Sequence, residues 1–518
     1  MDALLAAFAL VFRLEILAVI LGACVFGIFA GAMPGISATV AVALLVPITF
    51  FMEPVAALAA IATAVAMAIF AGDLPGALLR IPGMPASAAY AEEAHEMTLR
   101  GEGGTVLMIS LLCSVVGGLV GTLALAFSAT WLAEFALEFQ YYEYFWLAVI
   151  GLSTAALVAA SNPVKGLVSL SIGLLLATVG LDMISGQPRF TFGTLTLMEG
   201  IHFIPVMIGV FAVAEVLRCL IHPPRGDGRA AKVQRIDVGA ACRTIWRYRA
   251  NLARGSGIGT LIGALPGAGS DIAAWVSFAL ARRFSKTPER FGKGHPEGIV
   301  AASASNNSAT STTWVPSLVF GIPGDSVTAI VIGVLFLKGL EPGPMVFVEN
   351  APLVYSIFVS FFVANLVLIP VGYVAIRLAS QLLRVPSTVL MPIVLVFTMV
   401  GAYAINNSML GVWIALVAGI VSFFMQENEF PVAPLILGMV IGGLLEQNFM
   451  QAMIAQRGDL TAFFGRPIAA GLGVLAILIW LSPIVAALRR RRRRRDGPPG
   501  AGAPQDVARP RTPDEALS

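Results

Sequence analysis

The stretch Gly263-Ala-Leu-Pro-Gly-Ala-Gly-Ser-Asp271 lies inside an apolar segment and ends in a carboxylate. Three glycines and a proline break a helix, and an acid is costly in hydrocarbon. A near copy, Gly31-Ala-Met-Pro-Gly-Ile-Ser37, occurs far upstream. The chain around both is strongly apolar: 58% of its 518 residues are hydrophobic and only 12% charged, with mean hydropathy +0.86. Soluble domains are about a quarter charged, so a water-soluble core is excluded. Apolar windows at 14–30, 105–127, 144–160, 353–376 and 468–488 have the roughly 17 to 25 residues that cross about 30 Å of hydrocarbon. The expectation is an all-α polytopic membrane protein with about 12 transmembrane helices.

Charge placement gives a provisional topology. Residues 222–254 carry eight basic side chains, among them Arg225, Arg229, Lys232 and Arg235, against Asp227 and Asp237. Seven consecutive arginines, 489–495, open the tail. Basic flanks are retained in the cytoplasm, and an arginine run directly after a span fits anionic lipid headgroups better than nucleic acid. The expected organisation is a first membrane repeat (1–221), a basic cytoplasmic connector (222–254), a second repeat (255–488) and a basic, disordered cytoplasmic tail (489–518). The first window continues into the Gly-Pro motif without a cleavage site, so it reads as a retained span. Four isolated cysteines suggest neither a disulfide framework nor a zinc site.

The Gly-Pro motif is one of several recurrences. Pro75-Gly-Ala-Leu-Leu-Arg-Ile-Pro-Gly83 pairs with Pro316-Ser-Leu-Val-Phe-Gly-Ile-Pro-Gly324, both Pro-x6-Pro-Gly, and "SNPVKGL" at Ser161 pairs loosely with "NNSMLGV" at Asn406. Interrupted hydrophobic segments at corresponding places in two halves are the signature of a secondary transporter. The expected architecture is two inverted repeats with Gly/Pro-broken helices or re-entrant hairpins. Unpaired backbone groups are tolerated in a membrane only where they line a polar cavity, and helix N-termini there suit a carboxylate. Gly31, Pro34, Gly35 and Ser37 in the first break, and Gly263, Pro266, Gly267, Gly269 and Ser270 in the second, are therefore candidate substrate contacts. The competing reading is that these glycines and prolines are kinks and close-packing points.

The densest polar run, residues 301–314, contains Ser303, Ser305, Asn306, Asn307 and Ser308 and leads into Pro323-Gly324, then Asp325 and Ser326. Neutral oxygens in that density can coordinate Na+ or hold a carboxylate. Asn306, Asn307, Pro323 and Gly324 join the substrate candidates; Asp271, Ser303, Ser305, Asn307, Ser308, Asp325 and Ser326 are the cation candidates. Ser and Thr also glue helices together, and Asp271, Asp325 and Asp73 are equally read as helix N-caps. Arg80 and Lys338 are either partners of an anion or interfacial side chains, and Asn406 and Asn407 fall in another Gly-interrupted segment. A Walker A motif, a GxSxG elbow and an HExxH pair are all absent. Direct ATP drive is therefore not expected. An intramembrane enzyme, such as a lipid-modifying transferase, is a rival reading, for which no convincing catalytic acid, base or metal constellation stands in the chain. The only cofactor expected is a coupling ion, Na+ or H+.

At these residues the sequence resembles the large membrane subunit of the tripartite tricarboxylate transporters. The resemblance rests on "GALPGAGSDIAAW", on "GAMPGISATVAVALLVP", and on the block from Phe291 to Pro344 with its Asn-Asn pair, Ile-Pro-Gly and Gly-Leu-x-Pro-Gly-Pro ending. It implies a bacterial inner-membrane, multi-pass protein partnered by a small integral membrane subunit and a periplasmic solute-binding protein. Its substrates would be di- and tricarboxylate-type anions taken up with cations. An anion channel, or a transporter of another small solute without a binding protein, is the alternative. The chain departs from the family pattern where Ser303 stands in place of an acid before Asn-Asn, and where Asp73 and Arg80 stand in a segment usually Gly-Gly-Ser-Thr-Thr.

Overall fold

The computed structural model describes residues 2–33, 36–158, 162–182, 185–222, 236–383 and 387–495. Apart from one short antiparallel pairing, Gly180–Leu181 with Pro188–Arg189, the elements described are helical. The first half opens with α1 (Asp2–Val11), α2 (Leu14–Ala32), α3 (Ala38–Thr49), α4 (Pro54–Ala71) and α5 (Asp73–Leu79). It continues through α6 (Ala91–Met97), α7 (Gly103–Ala136), α8 (Tyr141–Ser153), α9 (Pro163–Ala177), α10 (Phe203–Met207) and α11 (Ala214–Ile221). A π turn at Ile208–Val213 joins the last two into one apolar rod.

The second half begins with α12 (Val238–Arg247), α13 (Arg249–Gly263), α14 (Gly269–Phe284), α15 (Pro296–Thr312), α16 (Trp314–Phe320) and α17 (Ser326–Leu337). It ends with α18 (Val346–Glu349), α19 (Ala351–Leu382), α20 (Ser387–Asn406), α21 (Met409–Glu427), α22 (Ala433–Ala455) and α23 (Pro467–Arg495). Residues 236–254 of the basic connector, with the exception of a short lead-in, are thus helical, while residues 223–235 and 496–518 lie outside the described residues.

Among the described residues, seven helices are long and apolar enough to cross a membrane, and six shorter apolar helices of 10–17 residues accompany them. The chain is an all-α, multi-pass membrane protein. Breaks explain why short helices coexist with long ones: α2 and α3 flank the first Gly-Pro motif, α13 and α14 the second. The two halves pack alike. Helix α2 lies on α4 as α13 lies on α15, and α4 packs on α19 as α15 packs on α7.

Helix α15 is the centre of the molecule. Its residues from Glu297 to Thr312 are all buried, although many are polar. Close approach makes this possible. A Cβ at Gly117 or Gly121 of α7 would stand 2.1 or 2.3 Å from the Ala304 or Ser308 carbonyl oxygen. At Gly255 or Gly259 of α13 it would stand 2.3 or 2.2 Å from that of Ala301 or Ser305. Both neighbours press glycine against the α15 backbone, the small-residue packing expected in membranes.

Candidate functional site

Helix α2 ends at Ala32, Pro34 and Gly35 lie outside the described residues, and Ser37 caps α3 by accepting from the Val40 N–H at 3.3 Å. In the second half, Gly267 (φ 77°) and Gly269 (φ 69°) turn the chain between α13 and α14 in the left-handed region that side chains resist. The two Pro-x6-Pro-Gly segments share one backbone. Helix α5 ends at Arg80 (φ 58°, ψ 24°) and α16 at Gly321 (φ 66°, ψ 19°), each N–H bonding the carbonyl of the segment's first proline, Pro75 or Pro316. After the second, Asp325 caps α17: its Oδ1 accepts from the Thr328 N–H and hydroxyl, both at 2.8 Å, and its own N–H donates to Thr328 Oγ1 at 2.9 Å.

These ends converge. A cavity of about 340 Å³ is lined by Ser37, Ala38 and Thr39 at the start of α3 and by residues 267–272 at the start of α14. Asp325, Ser326 and Val327 at the start of α17, and Ala433 at the start of α22, complete its helical rim. Met84 and Pro85, directly after the first Ile-Pro-Gly, Thr310 of α15, and the apolar side chains Val65 and Ile69 of α4 and Leu437 of α22 fill the remainder. Four helix N-termini therefore face one space, each carrying roughly half a positive charge. The volume is at the lower end of the roughly 300–1,000 Å³ of small-molecule sites.

Asp271 and Asp325 are the charged side chains among the described residues on this wall. The Ala86 backbone N–H faces Asp271, and the Trp275 indole donates to the Pro85 carbonyl at 3.1 Å, so the start of α14 is stitched to the first half. An added Cβ on Gly269 would meet Asp325 Cβ at 3.2 Å, so the second break lies directly against the α17 cap. A second cavity of about 360 Å³ shares Ser37, Met84 and Pro85 with the first and reaches Glu215, Arg218 and Gln426. Arg218 pairs with Glu215 at 2.6 Å and is half exposed.

The cavity thus brings together Ser37, Gly267, Gly269, Ser270, Asp271, Asp325 and Ser326. The other candidates stand elsewhere. Gly31 is pressed on Ala68 of α4, Gly263 on Ala309 and Thr312 of α15, and Gly324 on Thr313; Pro266 and Pro323 flank the turns without lining the wall. Four members of the polar run bond neighbouring helices. Ser303 meets the Ser110 hydroxyl at 3.1 Å, Ser305 donates to the Ala273 carbonyl, Ser308 to the Ser256 carbonyl, and the Asn307 amide to the Ser114 carbonyl.

Asn306 keeps a buried amide oxygen without a hydrogen-bond partner. Lys338 donates to the Phe50 and Met52 carbonyls at 2.9 and 2.6 Å, capping the α3 end, and Arg80 pairs with the exposed Glu92. Asn407 is exposed, and the Asn406 side chain lies outside the described residues. Sequence reading missed Thr39, Met84, Pro85 and Ala433; the position of Met84-Pro85 directly after the first Ile-Pro-Gly was the available signal for two of them.

A multi-pass helical protein with a cavity rimmed by interrupted helices from both halves, two aspartates on its wall, belongs to the transporter class. Comparison with known proteins gives the family. The model of the tripartite tricarboxylate transporter TctA family matches residues 17–437, and the chain belongs to that family. An uncharacterized 52.8 kDa protein in the TAR-I ttuC' 3' region of Agrobacterium vitis is 36% identical over 466 residues, covering 89% of this chain and 92% of that protein. A second Agrobacterium vitis protein, in the TAR-II ttuC' 3' region, is 36% identical over 234 residues, 45% of this chain and 97% of its own length. No solved structure matches the chain.

Proposed function

We propose that this chain is the large membrane subunit of a binding-protein-dependent, cation-coupled secondary transporter that imports di- or tricarboxylate-type anions across the bacterial inner membrane. The observation that carries the reading is the single cavity where four helix N-termini meet Asp271 and Asp325. Helix N-termini attract the carboxylates of an anion. The two aspartates oppose it: at 4 Å, like charges repel by about 4 kcal/mol for an effective dielectric of 20. An anion therefore enters favourably only with cations on those carboxylates. Co-binding of this kind is symport, with Na+ or H+ as the coupling ion.

The substrate's carboxylates would be held by N–H groups at Gly35–Ser37 and Gly267–Ser270. Cations would be held at Asp271, Asp325 and Ser326, with the hydroxyl and amide groups of Ser303, Ser305, Asn307 and Ser308 supporting α15 behind them. Pro323 and Gly324 would set the position of the α16–α17 turn. Alternating access would swing the α13–α14 and α2–α3 breaks about the packed α15 centre. Family membership supports the remaining partners, a small integral membrane subunit and a periplasmic binding protein that delivers the solute.

The test is uptake of labelled citrate and succinate into proteoliposomes containing the chain, with and without the proteins encoded beside it, under separate Na+ and pH gradients. Saturable accumulation that needs the binding protein and one of the gradients is expected. Non-saturable flux that only equilibrates the anion is the behaviour of a channel and overturns the proposal.

A further inference from the structure

Asp73 opens α5 and is only 4% exposed, away from the cavity wall. Its Oδ1 accepts from the Tyr90 hydroxyl at 2.6 Å, and its Oδ2 accepts from the Ser110 hydroxyl of α7. Ser110 in turn meets Ser303 of α15 at 3.1 Å. The Tyr90 hydroxyl is also faced by the Ser303 and Asn306 side chains, and Asn306, 1% exposed, has a carboxamide oxygen with no partner. Phe70, Leu74, Leu78 and Leu107 wall this cluster with hydrocarbon.

The elements around Asp73 bring no cation to it. Tyr90 is the titratable group in direct contact. His95 of α6 sits one turn along α5, with Nδ1 on the Ala77 carbonyl at 3.1 Å. Glu92 pairs with Arg80, and Glu93 grips the backbone N–H groups of Gly292 and His295. Cys24 of α2 and Cys113 of α7 belong to the same apolar cluster. Helix α4 carries no charge, and α2, α7 and α15 carry one acid each, Glu15, Glu134 and Glu297. The last lies six residues, about 9 Å, along α15 from Ser303. An ionised carboxylate in such surroundings pays a large desolvation penalty with no opposite charge to offset it.

We propose that Asp73, with Tyr90, Ser110, Ser303 and Asn306, forms a proton-binding site apart from the cavity, and that this site carries coupling charge in the transport cycle. The proposal rests on the transporter reading above. The hydroxyl partners support it. When Asp73 is ionised, the Tyr90 and Ser110 hydroxyls both donate to it. When a proton from water adds to the carboxylate, Asp73 becomes the donor to the tyrosyl oxygen, and the released O–H turns to the Ser303 hydroxyl, which accepts as well as donates. The proton leaves again to water on the other side, and no electron moves. A metal ion would instead have to part oxygens already in hydrogen-bond contact.

The site reaches the cavity through α15, where the Thr310 hydroxyl on the cavity wall donates to the Asn306 carbonyl at 2.9 Å, and through Met84. The Met84 side chain lies 2.8 Å from where a Cβ on Gly72 would stand, and Met84 lines the cavity. Protonation beside Gly72 can therefore be felt at the wall.

The experiment has two arms, both on the full chain in lipid. Infrared difference spectra over a pH titration in Na+-free buffer should show a protonated-carboxyl band in the wild type that is lost in Asp73→Asn, displaced in Tyr90→Phe and Ser110→Ala, and unmoved in Ser317→Ala. A band retained in full by Asp73→Asn, or abolished by added Na+ at constant pH, overturns the site. If Asp73→Asn does not assemble, the displacement in Tyr90→Phe decides, and an unmoved band there overturns it. In proteoliposomes that also contain the proteins encoded beside this chain, accumulation of labelled succinate driven by a pH gradient should fall at least tenfold in Asp73→Asn while succinate exchange without a gradient persists. Wild-type and variant accumulating equally defeats this site alone. Failure of the wild type to accumulate under either a pH or an Na+ gradient, with the band still lost in Asp73→Asn, defeats the transport reading and leaves the proton site standing.

Discussion

Asp325 meets both sequence readings of an acid behind a break: it caps α17 through Thr328 and also faces the cavity. Substitution separates the two roles. Asp325→Ala removes the cap and should cost about 0.5–2 kcal/mol of stability, seen as a lower melting temperature of the purified protein. Asp325→Asn caps comparably but carries no charge, so melting should hold while gradient-driven uptake is lost. Uptake by Asp325→Asn at the wild-type rate would reduce the carboxylate to a cap. The polar run was less legible. Ser303, Ser305, Asn307 and Ser308 announce polarity, but a helix buried on every side turns successive residues toward α7, α13 and α14, and composition alone does not say which of them faces a cavity. Two positions that depart from the family resemblance, Ser303 and Asp73, prove to be neighbours, bridged by Ser110.

At the scale of elements, glycine spacing does the work that apolar patterning does in soluble bundles. Gly117 and Gly121 on α7, and Gly255, Gly259 and Gly263 on α13, each recur every fourth residue and lay one helix face against α15. That spacing was visible in the sequence, where Gly31 and Gly263 were read as substrate contacts; the structure places both at helix crossings. Gly259→Ala or Gly117→Ala would drive a methyl into a carbonyl of α15 and should destabilise by about 1–3 kcal/mol, the usual cost of overpacking. Gly257, one turn face away, has nothing within 4 Å of an added Cβ, so Gly257→Ala should be neutral or stabilise by up to about 1 kcal/mol. Thermal unfolding of the three variants in one detergent compares them directly. Equal melting temperatures for Gly257→Ala and Gly259→Ala would mean that α13 does not lie on α15 as described.

For the whole molecule, the internal recurrence was the most legible feature, because a Pro-x6-Pro-Gly segment sets its own local geometry: the left-handed residues Arg80 and Gly321 and the carbonyls of Pro75 and Pro316 repeat each other. The number of crossings was harder to read, since a break turns one apolar window into two short helices whose lengths fall below that of a span. What the sequence did not convey is where the cavity leads. The first cavity joins the second at Ser37, Met84 and Pro85, and the second runs to Arg218 at the end of α11, the helix that enters the basic connector. With the connector on the cytoplasmic side, as its basic charge proposes, this end of the cavities would open to the cytoplasm. A cysteine at Ser37 tests this. With the exposed Cys242 replaced by serine and Cys24, Cys113 and Cys219 buried, Ser37→Cys should react with a membrane-impermeant maleimide several-fold faster in inside-out vesicles than in right-side-out cells. Saturating citrate, by filling the cavity next to Ser37, should slow that reaction. Faster labelling from the outer face would reverse the direction of access, and labelling indifferent to citrate would detach the anion from this cavity.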